Sequence, residues 1–188
     1  MTVKDILTTV ALLIDRKDIL KYLQEGVSDN TADVISEIDS LVSCYNIVTD
    51  EIASEFYKFT YSEEFSVTKG SIKLSLLKYN PLSIISVETK NGKKANAKIL
   101  FNEILCDNNE VVVNYYYLPK AKNIDDESEY TNTSVTSRVL AYGIATEYLL
   151  IKGAYEEASL WHQKFIDGLK GALSKTKIGK IKGRSFVW

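Results

Sequence analysis

The chain has 188 residues, of which 45% are hydrophobic and 26% charged, an ordinary composition for a globular domain with a sizeable core. Two prolines and nine glycines leave little room for linkers, and Cys44 and Cys106 lack the C-x-x-C spacing of a zinc site or a disulfide framework. No apolar run reaches the ~18 residues of a membrane span, and charges interrupt residues 1–20, so we expect no signal peptide and a soluble protein made in the cytosol.

Two short helices are predicted at the N-terminus, the first over residues 2–14. Thr2 is a candidate N-cap for it, with Asp5 three residues later. A break is expected at residues 15–18, and Gly26 is a plausible C-cap for the second helix. The expected inward side chains are Ile6, Val10 and Leu13 on the first helix, and Ile19, Leu20 and Leu23 on the second.

A long helix is predicted over residues 31–57. Its apolar positions are separated by steps of three and four residues, which places them in one stripe. No Gly or Pro interrupts it, and Asn30 or Thr31 can cap it. The stripe consists of Val34, Ile38, Leu41, Tyr45, Val48, Ile52 and Phe56.

The spacing of apolar residues then changes to a period of two, so residues 58–118 are predicted to form successive antiparallel hairpins. Turns are expected at 69–70, 80–81, 91–92 and 107–109, and Asn91-Gly92 is a strong signal for a two-residue hairpin. Glu63 interrupts the inward face of the first strand. The expected inward side chains are Phe59, Tyr61, Phe65 and Val67; Ile72, Leu74 and Leu76; Ala95, Ala97, Ile99 and Phe101; and Val111, Val113, Tyr115 and Tyr117. The third strand is predicted over 84–89 and the fifth over 104–106.

Residues 120–133 are polar and acidic and are interpreted as a surface loop. A helix is predicted over 134–152, with Ala141, Gly143 and Ala145 allowing close approach of a neighbouring helix, and Gly153 ends it. The final predicted helix covers 154–174. Its expected inward side chains are Ala158, Trp161, Phe165, Leu169 and Ala172.

These elements predict an α+β fold, with a helical bundle of about five helices, an inserted antiparallel β-sheet region and an extended C-terminal tail. We expect one α+β domain over residues 1–174. It has helices within 2–57 and 134–174 and a β insertion at 58–118, and it is followed by a basic and aromatic arm at 175–188.

Catalytic and metal-binding motifs are absent from the sequence. There is no phosphate-binding glycine loop, no G-x-S-x-G and no H-E-x-x-H. The lone histidine, His162, has no patterned nucleophile or carboxylate beside it, which favours a structural or surface role. The acidic segment 123–129 lacks the glycine of an EF-hand loop. We therefore predict a protein that is not an enzyme and has no cofactor and no metal site.

Three consecutive tyrosines, Tyr115, Tyr116 and Tyr117, could in principle form a stacking platform for bases. However, alternation along a strand puts Tyr115 and Tyr117 on one face and Tyr116 on the other, and no Lys or Arg follows until Lys120. Packing within the sheet is the favoured interpretation.

Charge is distributed unevenly along the chain. Residues 1–167 hold 17 basic and 25 acidic side chains, a net charge of −8, whereas residues 168–188 hold six basic and no acidic side chains. Such a tail can bind phosphate, remain solvated or dock on an acidic partner. Docking is favoured, because apolar side chains alternate with the basic ones.

The C-terminal third carries a family resemblance. It consists of SRVLAYGIATEY at residues 137–148, YEEA at 155–158 followed by Trp161 and Phe165, and the basic end RSFVW at 184–188. In these features the chain resembles the head–tail connector (adaptor) proteins of tailed bacteriophages. The helical N-terminal part and the β insertion are compatible with that pattern, although the large insertion departs from the smallest, nearly all-helical adaptors.

The resemblance implies a structural protein of the virion neck, at the head–tail junction, which assembles in the host cytoplasm. A ring of twelve copies would lie beneath the portal protein and bridge it to a stopper or tail protein. DNA would pass through the lumen during ejection with only transient, non-specific contact, and no membrane is involved. An acidic body would repel the passing DNA. The sheet is expected to contact neighbouring subunits or the next ring.

The candidate portal-docking residues lie in the arm. Those that match the family pattern are Lys180, Lys182, Arg184, Phe186 and Trp188, and two further residues, Lys175 and Lys177, join them on charge alone. Two alternatives stay open. One is a DNA-binding or packaging-associated phage protein that uses the basic tail, and the other is a stopper or tail-completion protein.

Overall fold

The computed structural model describes residues 1–26, 31–67 and 70–176. Within them the chain is mixed α+β, with five α-helices and two small antiparallel sheets, which confirms the α+β part of the predicted fold. Residues 50–120 form one compact unit, and the described parts of 1–49 and 121–176 form another. The helices are α1 (Val3–Leu13), α2 (Lys17–Glu25), α3 (Thr31–Glu51), α4 (Ser137–Ile151) and α5 (Tyr155–Thr176). The strands are β1 (Phe59–Ser66), β2 (Ser71–Lys73), β3 (Pro81–Thr89), β4 (Ala97–Ile99), β5 (Glu103–Cys106) and β6 (Glu110–Tyr117).

The predicted capping box at the start of α1 is confirmed. The Thr2 backbone N–H donates to Asp5 Oδ2 at 2.9 Å, and the Asp5 N–H donates to Thr2 Oγ1 at 3.2 Å. These bonds satisfy two of the N–H groups that a helix start leaves without partners. Gly26 ends α2 as predicted, in the left-handed conformation with φ +74°.

The long helix differs from its prediction at its C-terminal end. The α-helix stops at Glu51, and Ile52–Phe56 form a π-helical turn closed by the Tyr57 N–H on the Ile52 carbonyl. The last two steps of the apolar stripe are both four residues long, which rotates the side chains by about 80° around an α-helix. The wider π turn reduces that displacement. The stripe itself is buried from Val34 to Ile52, and Phe56 is half-buried.

The loop between β6 and α4 was predicted to be a surface loop, but it is hydrogen-bonded to α1 and α3. The Asn46 side chain bonds both backbone groups of Lys122, at 3.1 and 2.8 Å. Tyr130 is buried, and its hydroxyl donates to the Thr49 carbonyl at 2.9 Å. The Val3 N–H donates to the Asp126 carbonyl at 2.9 Å. Polar composition signalled a loop, but these contacts arise from distant residues of the chain.

The sheets are antiparallel as predicted, but the predicted succession of hairpins is wrong except at β4 and β5, which are consecutive in the chain and pair with each other. The first sheet has the order β1-β6-β3 and the second has the order β2-β5-β4. β6 occupies the central position of the first sheet, and every second side chain from Val111 to Tyr117 is buried. Its pairs with β1 run from Phe59 opposite Tyr117 to Ser66 opposite Glu110.

Glu63, which interrupts the inward face of β1, has partners in the same sheet unit. Its Oε2 accepts a hydrogen bond from the Tyr115 hydroxyl at 3.1 Å and another from the Lys78 N–H at 3.1 Å. Burial, together with the negative charge of Glu63, raises the pKa of Tyr115 to about 12. A carboxylate on this face is tolerated because both donors satisfy it.

Two predicted details of the sheet region are wrong. Leu76 was expected to face inward, yet it is 64% exposed, because Leu74–Leu76 form a 3-10 turn in which strand alternation no longer applies. The turn at Asn91-Gly92 is present but spans three residues, with the Thr89 N–H donating to the Lys93 carbonyl at 2.7 Å and Gly92 at φ +73°. A type I turn followed by a left-handed glycine is the usual form of such a loop.

Candidate interaction surfaces

The predicted portal-docking residues lie almost entirely beyond the described part of the chain. The backbone at Lys175 belongs to the last turn of α5, but its side chain is outside the described residues. The other candidates outside the described residues are Lys177, Lys180, Lys182, Arg184, Phe186 and Trp188. Their docking role stays a prediction. The surfaces that the structure does describe are formed by other residues.

α4 and α5 form a closely packed antiparallel pair. Thr136 caps α4 by accepting from the Val139 N–H, and Gly153, at φ +75°, ends the turn that leads to α5. Gly143 lies where α3, α4 and α5 meet: a Cβ there would be 2.8 Å from Val48 Cγ1 and 2.9 Å from Phe165 Cε2. The predicted close approach of a neighbouring helix is thereby confirmed at Gly143.

The corner where α4 turns into α5 exposes large apolar side chains. Beside it lies a groove of about 320 Å³. The exposed apolar residues of the corner are Leu150, Ile151, Tyr155 and Leu160. The groove, which we call the α4–α5 groove, is lined by Thr146, Glu147, Leu150, Tyr155, Ala158, Ser159 and His162. His162 is exposed on its rim, which is a surface position of the kind predicted.

The electrostatics of this corner are acidic. Glu147 lines the groove, and Glu156 and Glu157 lie in the first turn of α5. Lys152, the basic residue of the connecting turn, is paired with Glu37 at 2.7 Å.

Burial raises the pKa of the Cys44 thiol to about 11, and the negative charge of Glu147 adds to the shift. A thiol with such a pKa stays protonated at neutral pH and is a poor nucleophile.

A polar network holds α4 in place behind the groove. Arg16 donates from Nη1 to the Tyr148 hydroxyl at 2.7 Å, and that hydroxyl donates to Glu37 Oε2 at 2.8 Å. Arg16 also makes two bonds with Asp18, at 2.9 and 2.8 Å. Burial and the carboxylate of Glu37 raise the pKa of Tyr148. Each member has a hydrogen-bonding partner, so the network is best explained as positioning α4 against α2 and α3.

The second surface is the tip of the β4–β5 hairpin, residues 99–102. Phe101 was predicted to face inward along β4, but it is 94% exposed, and Ile99 is 51% exposed. The reason is that β4 ends at Ile99 and the turn closes with the Leu100 N–H on the Glu103 carbonyl at 2.8 Å. Phe101 therefore lies outside the strand.

Sequence reasoning missed this tip, although a signal was present. Ile99, Leu100 and Phe101 are three consecutive apolar residues, which cannot all lie on one face of a strand. An exposed run of three consecutive apolar residues breaks the alternating pattern of a strand unless it has a function. The apolar residues of the α4–α5 corner gave no comparable signal, because their exposure depends on which helix faces are covered.

The tyrosines of the sheet pack on one another as predicted. Tyr115 and Tyr117 are buried, and Tyr117 stacks on Tyr79 with ring centroids 4.2 Å apart. Lys78 and Lys120 lie over the Tyr79 ring, with Nζ 5.3 and 5.6 Å from its centroid. Because these ring faces are engaged within the sheet unit, they are poorly suited to stacking with bases.

Other kinds of site find little support in the described residues. Within residues 1–26, 31–67 and 70–176, no three His, Cys, Asp or Glu side chains are grouped so as to hold a metal ion. None of the helices described there has the length and apolar character needed to cross a membrane. The acidic segment 123–129 instead makes local bonds, such as the Asn123 N–H on Asp126 Oδ2 at 2.7 Å.

Comparison with known proteins gives no family assignment. No protein-family model matches the chain, and no curated protein matches it.

Proposed function

We propose that this protein is a head–tail adaptor of a tailed bacteriophage, a structural component of the virion neck rather than an enzyme. Its helices assemble as a bundle with the sheet region inserted, and the C-terminal residues form an extended arm. Twelve copies form a ring beneath the portal and bridge it to a stopper or tail protein. DNA passes through the lumen, and assembly takes place in the host cytoplasm.

The observation that carries the proposal is the exposed apolar surface at the α4–α5 corner. Tyr155 is 69% exposed, and Leu160 and Ile151 are exposed to 66% and 62%. Clusters of exposed large apolar side chains are typical of protein-binding sites. This corner lies in the same segments, 137–148 and 155–165, that carry the resemblance to adaptors. A ring protein requires such surfaces for its neighbours.

The distribution of charge supports the same proposal. Residues 1–167 have a net charge of −8, and the arm that follows α5 belongs to a segment of net charge +6. An acidic body does not bind the DNA that must slide past it. A basic and aromatic arm matches an acidic, partly apolar partner surface, so we assign portal docking to the arm residues named above.

Native mass spectrometry of this protein mixed with its own portal ring, without DNA, tests the proposal. We expect a discrete complex with one copy of this chain per portal subunit. The matched control is a chain that ends at Ser174, which lacks the arm and should not join the ring. Absence of a complex, together with tight and salt-sensitive binding to duplex DNA, would contradict the proposal and favour a packaging-associated protein.

A further inference from the structure

The tip of the β4–β5 hairpin and the α4–α5 groove match in size and chemistry. Phe101 is the most exposed large apolar residue among those described, at 94%. The groove is open to solvent and has a volume of about 320 Å³, so a phenyl ring can enter it from outside. Leu150, Tyr155 and Ala158 supply its apolar lining.

The hairpin tip and the α4–α5 groove also carry charges of opposite sign. Lys98 precedes Ile99 in β4, and Lys73 ends β2 opposite Glu103, so the tip is flanked by two basic residues and one acidic residue. Neither lysine belongs to an ion pair within the described residues. The groove side carries Glu147, with Glu156 and Glu157 nearby, while Lys152 is already paired. Opposite charges at a rim favour correct encounter and orientation.

We propose that the hairpin tip of one copy inserts Phe101 into the α4–α5 groove of a second copy. This inference rests on the proposed ring and identifies the contact between neighbouring subunits. In the proposed ring the contact is heterologous: each copy offers its tip to one neighbour and its groove to the other, instead of exchanging both with a single partner. Repetition of a heterologous contact closes into a ring when the rotation permits it.

Photo-cross-linking locates the partner of the tip directly. The full-length chain carries p-benzoylphenylalanine in place of Phe101, a substitution that an exposed position tolerates. A mixture of isotopically light and heavy chains separates cross-links between copies from those within one copy. Irradiation is performed with the portal ring and also on concentrated protein alone. We expect inter-copy cross-links to residues 146–162. Cross-links elsewhere, or none under either condition, would overturn the inference.

Complementation between two variants tests whether the contact is heterologous. Phe101→Ala damages the tip and Tyr155→Ala damages the groove, and each alone should weaken self-association by about 30-fold, as expected for a central apolar contact. A mixture of the two variants still contains one intact tip and one intact groove, so it should form one-to-one dimers that cannot grow further. Leu12→Ala, which removes a 61% exposed side chain from α1, is the matched control and should associate as the wild type does. A mixture that associates no better than either variant would refute the contact.

The two proposals fail in different ways. If the wild-type chain joins the portal ring and Phe101→Ala forms the same ring with unchanged affinity, the tip contact is wrong and the adaptor function stands. If the wild-type chain does not join the portal, the adaptor function is wrong. In that case cross-linking of the concentrated protein alone decides whether tip and groove bind.

Discussion

Substitution of Gly143 by alanine is the sharpest test of how the helices pack. The added methyl group would lie 2.8 Å from Val48 Cγ1 on α3 and 2.9 Å from the Phe165 ring on α5. Carbon atoms in contact prefer separations of about 3.5–4.0 Å. Val48 and Phe165 are both buried and lie on different helices, so either α4 must move away from both of them or both side chains must shift.

The expected magnitude follows from two opposing effects. Overpacking a core costs typically about 1–3 kcal/mol, and two simultaneous overlaps place this site near the upper end. Alanine is better than glycine inside a helix by about 1 kcal/mol. The net expectation is that Gly143→Ala lowers the free energy of unfolding by about 2 kcal/mol.

Gly171→Ala is the matched control, because it lies in α5 with no atom within 4 Å of an added Cβ. It should gain about 0.5–1 kcal/mol from helix propensity alone. Urea unfolding followed by far-UV circular dichroism measures both variants, since the helices provide that signal. A Gly143→Ala protein as stable as the wild type would refute the close packing of α4 between α3 and α5.

Three further predictions concern other parts of the chain. The pKa of Asp18 is lowered to about 2, chiefly by its hydrogen bonds with Arg16. The pair therefore stabilises the folded state at pH values above about 4, the pKa of an aspartate in the unfolded chain. This contribution is lost as the pH falls through about 2. Asp18→Asn should therefore cost below about 1 kcal/mol at neutral pH, because the pair is exposed, and this cost should shrink as the pH falls through about 2 and vanish below it. Tyr130→Phe should cost about 1 kcal/mol through loss of a buried hydrogen bond. Removal of residues 175–188 should abolish portal binding and preserve the helical circular dichroism.

Each of these predictions has a result that would contradict it. A difference between wild type and Asp18→Asn that stays constant with pH would show that the carboxylate charge contributes nothing. The control for Tyr130→Phe is Tyr22→Phe. The Tyr22 hydroxyl makes no hydrogen bond within the described residues, so its removal should leave the midpoint of urea unfolding unchanged. Equal effects of the two substitutions would refute the role of the buried hydrogen bond. Unchanged portal affinity in the truncated chain would show that the arm is not the docking element.

Local patterns of residues were sufficient to predict most elements of this fold. The capping box at Thr2 and Asp5 is confirmed because its partners are three residues apart. The helical stripe of α3 and the alternation of β6 are confirmed for a related reason: periodicity follows from backbone geometry, and one buried face is enough to reveal it. The acidic body and basic C-terminal segment are likewise properties of the sequence alone.

Pairing and exposure depended on residues far apart in the chain. β1 pairs with β6 across some 50 residues rather than with β2, and β6 also pairs with β3, so the order of the sheet does not follow the order of the chain. Phe101 is exposed because β4 ends two residues earlier, and Tyr130 is buried because α3 accepts its hydroxyl. Alternation indicates which side chains share a face, but only the tertiary arrangement determines whether that face is covered.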